Sequence, residues 1–149
     1  MSQNIIEQAK LRGAGLPYAG AVTPQEAFAL VQSDPSVHVI DVRTNAERDW
    51  VGQITIRPEQ LHPVQWNLYP NRPNPEFLVE LAQAVQPDAT LLFLCRSGVR
   101  SRAAAQLATG HGYPNCFDIL EGFEGDKDAE GHRKTIGGWC HAGLPWRGA

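Results

Sequence analysis

Cys95-Arg96-Ser97-Gly98-Val99-Arg100-Ser101 brings a nucleophile, two cations, two hydroxyls and a glycine into one short stretch. The nearly continuous apolar run Thr90-Leu91-Leu92-Phe93-Leu94 precedes it, and residues at helical spacing follow it. The pattern predicts a cysteine on a strand-to-helix turn. The first amides of a helix have no internal partners and favour negative charge. Gly98 permits the bend that turns several N–H groups inward into an anion-binding concavity. Arg96 and Arg100 add positive charge. Surroundings of this kind favour a thiolate over a thiol. Cys95 is therefore predicted to be an activated thiolate nucleophile in a cradle that also binds an anionic substrate. A free cysteine after an apolar strand is ordinarily a small buried hydrophobe. A charged, glycine-containing turn gives it no packing purpose, and this sets Cys95 apart.

The elements that hold this turn are legible from periodicity. Thr23-Pro24-Gln25-Glu26 is a helix start, with a threonine cap, proline at the first helical position and a nearby acid. Ala27, Leu30 and Val31 continue the helical spacing until Asp34-Pro35. Val37-His38-Val39-Ile40-Asp41-Val42 predicts a strand with Asp41 near its C-terminal end. Residues 43–50 predict a loop or a short helix. Five prolines between Gly52 and Pro75 exclude a long regular element. That segment reads as an irregular excursion with one short strand near Gln65-Trp66-Asn67. Asn74-Pro75-Glu76 starts a second helix, with Phe77, Leu78, Leu81 and Val85 as its stripe. Thr90 to Cys95 reads as a strand buried on both faces. Val99, Ala103, Ala104, Leu107 and Ala108 predict the helix after the turn, closed by Gly110 and Gly112. Cys116 to Leu120 is a further strand, Gly122 to Arg133 a charged loop, and Gly137 to Ala142 a short helix. This alternation implies an α/β fold: a parallel sheet flanked by helices on both faces. In such sheets the reactive site lies beyond the carboxyl ends of the strands, where Asp41 and Cys95 both fall.

Composition bounds the rest. The 149 residues fit a single domain, 1–149, able to bury a core without disulfides or metals. Hydrophobic content of 42% and charged content of 19% are ordinary for a soluble domain. A formal net charge of −3 argues against a nucleic-acid partner. No apolar stretch approaches the roughly 20 residues of a spanning helix, so no membrane association is expected. Met1 to Gln8 lacks a basic start followed by an apolar run, so the expectation is cytoplasmic. The three cysteines, Cys95, Cys116 and Cys140, form no C-x-x-C pair, and the five histidines are scattered. Free thiols, no metal and no cofactor are expected. Cys116, on a strand, is expected to be buried and inert. Cys140 is a possible resolving thiol for Cys95.

Four stretches together resemble a rhodanese domain, the sulfurtransferase family whose active cysteine carries a persulfide. Asp41-Val42-Arg43 with Glu47 is similar to that family's motif after the central strand. Cys95-Arg96-Ser97-Gly98-Val99-Arg100 is similar to its six-residue active loop. Leu120-Glu121-Gly122-Phe123 resembles the strand and turn near its end. Gly138-Trp139 and Ala142-Gly143-Leu144-Pro145-Trp146 resemble its C-terminal signature. The resemblance covers a core of about 23–146. Related phosphatases place an arginine after Cys and five residues, a position held here by Ser101. Phosphate needs a wider cradle and a fixed bidentate arginine, so the shorter loop favours sulfur transfer.

The resemblance implies a two-step mechanism. The Cys95 thiolate takes the outer sulfur of a small anionic donor such as thiosulfate, and a thiol (free or on a protein) or cyanide then removes it. Arg96, Ser97, Gly98, Val99, Arg100 and Ser101 would bind the donor. Arg96 and Arg100 would orient the anion. Asp41, Arg43 and Glu47 would support the site, with an Arg43–Glu47 ion pair fixing the loop. A non-catalytic module of the same family that binds a protein partner, and a thiol redox or sulfide-handling enzyme using Cys140, are the alternatives. Many rhodaneses carry Gly-His-Ile-Pro-Gly-Ala after the first motif; here Gly52-Gln53-Ile54-Thr55-Ile56-Arg57-Pro58 departs from it and leaves the pocket wall open. Trp66 and Tyr69 are expected to be packing residues. Asp126, Lys127, Asp128 and Glu130 are expected to be a solvated loop.

Overall fold

A computed structural model describes residues 2–148. Met1, where the export-signal reading begins, and Ala149, the last residue of the predicted domain, lie outside the described residues. The chain begins with α1 (Ser2–Arg12), β1 (Gly20–Val22), α2 (Pro24–Ser33), β2 (Val37–Asp41) and α3 (Asn45–Trp50). The proline-rich excursion holds β3 (Gln53–Ile54), a 3-10 turn at Pro58–Gln60, β4 (Leu61–Pro63), β5 (Asn67–Leu68) and β6 (Arg72–Pro73). Then come α4 (Phe77–Ala84), β7 (Thr90–Leu94), α5 (Val99–Gly110), β8 (Cys116–Ile119), α6 (Gly138–His141) and β9 (Trp146–Arg147).

Five strands form one parallel sheet in the order β1-β8-β7-β2-β4. Side chains alternate across each strand, as the pleat requires. On β7 and just beyond it, Leu91, Phe93 and Cys95 face one side and Leu92 and Leu94 the other. All are buried, so the strand has no polar face and belongs in the centre of the sheet. Each such Leu or Phe contributes roughly 1.5–3 kcal/mol. The Cys95 face is covered by α4 and α5 through Phe77, Leu81, Ala104, Ala105 and Ala108. The other face is covered by α1, α2 and α6 through Ala9, Leu30, Val31 and Trp139. The predicted architecture, a parallel sheet with helices on both faces, is the one observed.

Two expectations need correction. The excursion holds four short strands where one is expected: β5 (Asn67–Leu68) falls at the expected place but pairs only with β6, whereas the strand that joins the main sheet is β4 (Leu61–Pro63), with Val39 opposite Leu61. Trp66 instead donates its backbone N–H to Val42, and its ring stacks edge-on against Phe77. The buried face of α5 is Ser101, Ala104, Ala105 and Ala108, whereas Val99 is 65% exposed and Ala103 is exposed. Ser101 is turned inward, toward Cys95, and this rotates Val99 out to solvent. Elements α1 and β1 have no strong sequence signal: α1 presents only Ile5, Ile6 and Ala9 to the core, and β1 is too short to show alternation. Among the described residues, no helix is long and apolar enough to cross a membrane.

Candidate active site

β2 and β7 carry the site between them. Their ladder continues past both strands, with Val42 N–H donating to the Leu94 carbonyl at 2.8 Å. The chain then turns at Cys95, which is only 1% exposed. Gly98, at φ 114°, adopts a left-handed conformation that suits glycine and starts α5. Its N–H points back at the Cys95 sulfur, 3.0 Å away. The Ser101 hydroxyl lies 3.3 Å from the same sulfur. The sulfur thus sits at the start of a helix with the Gly98 N–H donating to it, a setting that suits negative charge, while the Ser101 oxygen is placed to accept from the thiol.

A second strap fixes the loop from below. The turn after β8 donates Phe123 N–H to the Cys95 carbonyl at 2.8 Å and Glu124 N–H to the Arg96 carbonyl at 2.9 Å. Gly122 makes this approach possible. A Cβ there would lie 2.6 Å from the Cys95 and Arg96 carbonyl oxygens, and its φ of 66° disfavours other residues. Gly122→Ala is expected to push the loop outward, lowering stability by about 2–3 kcal/mol. The rate of any Cys95 chemistry should fall about tenfold with it, because misplacing a reacting group by about 1 Å is costly. Thermal unfolding and the rate of Cys95 reaction, measured together, check this.

The predicted Arg43–Glu47 ion pair is not formed. Arg43 is fully buried and grips Asp41 with Nε at 3.0 Å and Nη2 at 2.9 Å, while Nη2 also donates to the Gly52 carbonyl. Its guanidinium lies 4.3 Å from the Phe123 ring centroid, which faces a cation that has one nitrogen, Nη1, without a hydrogen-bond partner. Glu47 serves two other tasks. With Thr44 it closes a capping box on α3, and it accepts both prongs of Arg100 at 2.6 and 2.8 Å. Burial opposes its ionisation, but the hydrogen bonds from Arg100 and Thr44 prevail and hold the carboxyl down at about 2. The Arg100 guanidinium is correspondingly raised, first by its hydrogen bond to Glu47, with burial opposing and the charges of Glu47 and Cys95 adding to the effect.

Arg100 therefore does not reach into the loop; it ties α5 to α3. Arg96 is exposed, and Ser97 is half-buried at the turn. Both arginines border a cleft of about 370 Å³ that also meets Glu47, Asn67, Trp50 and Tyr69. Trp50 and Tyr69 are 73% and 62% exposed and meet edge to face, with centroids 6.2 Å apart. Trp66 is a packing residue as expected, but Tyr69 is not: its ring belongs to the cleft wall. Asp128 lies in an exposed loop that it organises, accepting from the Glu130 and His132 amides and the Thr135 hydroxyl.

One member of the site has no sequence expectation attached to it. Asp118, fully buried on β8, accepts the Ser101 hydroxyl at 2.5 Å. Burial pushes its carboxyl up to about 6, against the opposing pull of the Ser101 hydrogen bond and the Arg102 charge. An aspartate between Phe117 and Ile119 in an apolar strand is the signal that finds it, because a buried carboxyl needs a partner. Cys116 and Cys140 are not brought to the loop. Burial pushes both thiols up to about 11. Cys140 packs on the sheet face opposite Cys95. Among the described residues, no group of three or more His, Cys, Asp or Glu could hold a metal ion.

Comparison with known proteins places this geometry. The model of the rhodanese-like domain matches residues 23–129. The crystal structure of Rv0390 from M. tuberculosis has a TM-score of 0.80 at 40% sequence identity, covering 87% of this chain and 98% of that one. An uncharacterized protein of Rickettsia rickettsii is 32% identical over 126 residues, 82% of this chain and 92% of that protein. The solution structure of the polysulfide-sulfur transferase homodimer from Wolinella succinogenes has a TM-score of 0.61 at 18% identity, over 97% of this chain and 88% of that one, a likeness of fold. With most of its length matched by that model, and with the Cys95 loop at the end of the central strand, the chain belongs to the rhodanese-like domain family.

Proposed function

We propose that the chain is a sulfurtransferase that moves a sulfane sulfur through a persulfide on Cys95. One observation carries the reading: a buried cysteine sulfur with the Gly98 N–H on it, in a loop whose Arg100 is already committed to Glu47. Only a donor with a terminus one atom wide reaches such a sulfur. A sulfane sulfur fits; a phosphorus surrounded by four oxygens, which also requires a free bidentate arginine, does not.

The reaction balances without a cofactor. The Cys95 thiolate attacks the outer sulfur of thiosulfate, forming the Cys95 S–S bond as the donor's S–S bond breaks, and sulfite leaves with the electron pair. The persulfide keeps one negative charge at its outer sulfur, where the N-terminal end of α5 stabilises it. A thiolate or cyanide then attacks that outer sulfur, and the Cys95 thiolate is returned. Arg96, exposed at the cleft, steers the anion toward the loop. Arg100 acts by fixing the loop against α3. Ser97, half-buried in the turn, and Val99, exposed at the start of α5, flank Gly98 in the same loop. The acceptor enters the cleft past the joined rings of Trp50 and Tyr69, which are exposed to a small thiol or a thiol-bearing protein segment. The fold that the chain shares with the polysulfide-sulfur transferase of Wolinella succinogenes supports the class of chemistry.

The test is intact mass after incubation with thiosulfate, and separately with a polysulfide. A gain of one sulfur atom that cyanide removes is expected. No gain with either donor would overturn the proposal.

A further inference from the structure

Three side chains form a hydrogen-bonded chain through the interior, from Cys95 Sγ to Ser101 Oγ at 3.3 Å and from Ser101 Oγ to Asp118 Oδ1 at 2.5 Å. We propose that Asp118 is a positioning residue, which decides through the Ser101 hydroxyl whether the Cys95 sulfur is served as an anion or as a thiol.

A hydroxyl has one hydrogen and two acceptor sites. When the Asp118 carboxylate is ionised, it takes the Ser101 hydrogen. The serine oxygen then presents lone pairs to Cys95 and accepts from an S–H, which favours the thiol. When Asp118 is protonated, it donates to the Ser101 oxygen, and the serine hydrogen turns to the sulfur, which favours the thiolate. Moving one proton from sulfur to Asp118 reverses both hydrogen bonds and leaves the total charge unchanged. Negative charge on Cys95 and on Asp118 therefore makes opposite demands on the one serine hydrogen.

The surroundings support this. Asp118 is fully buried, and its second oxygen, Oδ2, has no hydrogen-bond partner, so nothing but the serine competes for the carboxyl. Its carboxyl is pushed up to about 6, chiefly by burial, so both protonation states are within reach near neutrality. The other ionisable groups facing it are Arg102 on α5 and Tyr18 ahead of β1. From the neighbouring strands, Ala21 and Phe93 stand opposite and bring no charge.

The inference rests on Cys95 being the reacting sulfur, and its test needs no sulfur donor, so relay and sulfur transfer can fail separately. The measurement is the rate of iodoacetamide alkylation of Cys95, resolved by peptide mass, from pH 4.5 to 9. In the unaltered protein the rate should rise gradually over more than two pH units, as coupled groups do. In Asp118→Asn the amide donates permanently to Ser101. The rise should then steepen to a single titration, and the rate at pH 7 should increase about fivefold. Superimposable profiles, or a slower variant, would overturn the proposal. In a Ser101→Ala background the Asp118→Asn change should have no further effect. A persisting fivefold gain there would mean that the charge acts through space and not through the serine. If the Asn variant does not fold, carboxyl-carbon NMR of the unaltered protein decides: blocking Cys95 with iodoacetamide should lower the Asp118 midpoint, and an unmoved midpoint overturns the relay.

Discussion

Cys95→Ser is expected to abolish sulfur loading while the protein stays folded. Persulfide formation needs a sulfur anion that can attack and later leave, and a serine hydroxyl supplies neither, so the loading rate should fall by about 10³-fold or more. The fold tolerates the change because the two groups on the sulfur, the Gly98 N–H and the Ser101 hydroxyl, hydrogen-bond an oxygen equally well. A buried thiol-to-hydroxyl change with partners in place costs about 1 kcal/mol. No other cysteine can take over. Cys116 and Cys140 are pushed up to about 11 by burial, which leaves little thiolate at neutral pH. Intact mass after thiosulfate treatment, with a thermal unfolding curve as the control for folding, checks both halves. A sulfur gain retained in the variant would move the chemistry to another residue. A protein with no gain in either form would point to the non-catalytic module.

The site was legible in the sequence where chemistry and backbone geometry coincide, and obscure where tertiary contacts choose between equivalent partners. Cys95, Gly98 and the strand-to-helix turn follow from an apolar run meeting a charged, glycine-containing segment. The Arg43–Glu47 pair looks reasonable from its four-residue spacing, which aligns side chains inside a helix. Arg43, however, precedes that helix. Thr44 is the cap, so Arg43 still points as a strand residue and turns back to Asp41. The Thr44-Asn45-Ala46-Glu47 capping box was present to be read and assigns Glu47 to the helix start. Arg100 pairs with Glu47 from a helix 53 positions away, and no local pattern specifies that. β4 escapes the sequence for a related reason. Proline marks where the ladder ends but not which neighbouring residues pair, and β2 selected Leu61–Pro63 by register.

Arg43→Ala is expected to cost about 3–5 kcal/mol, because it leaves the Asp41 carboxylate buried without its main partner. That is a third or more of the stability of many domains of this size. It should lower the melting temperature by roughly 10–20 °C. Four attachments are lost at once: two bonds to Asp41, one to the Gly52 carbonyl and the face of Phe123. Arg48 limits the damage. It already holds the Arg43 carbonyl and lies 3.9 Å from Asp41, so it is placed to take over part of the charge. A paired change separates the ion pair from the rest of the side chain. Asp41→Asn with Arg43→Met keeps the volume and removes both charges, and should recover more than half of the loss. Recovery would show that the cost lies in the orphaned carboxylate; none would assign it to the Gly52 and Phe123 contacts. The consequence reaches Cys95 either way. Asp41 lies opposite Leu94 in the β2–β7 register, and Phe123 is hydrogen-bonded to the Cys95 carbonyl, so Arg43 holds two of the supports that set the reactive loop.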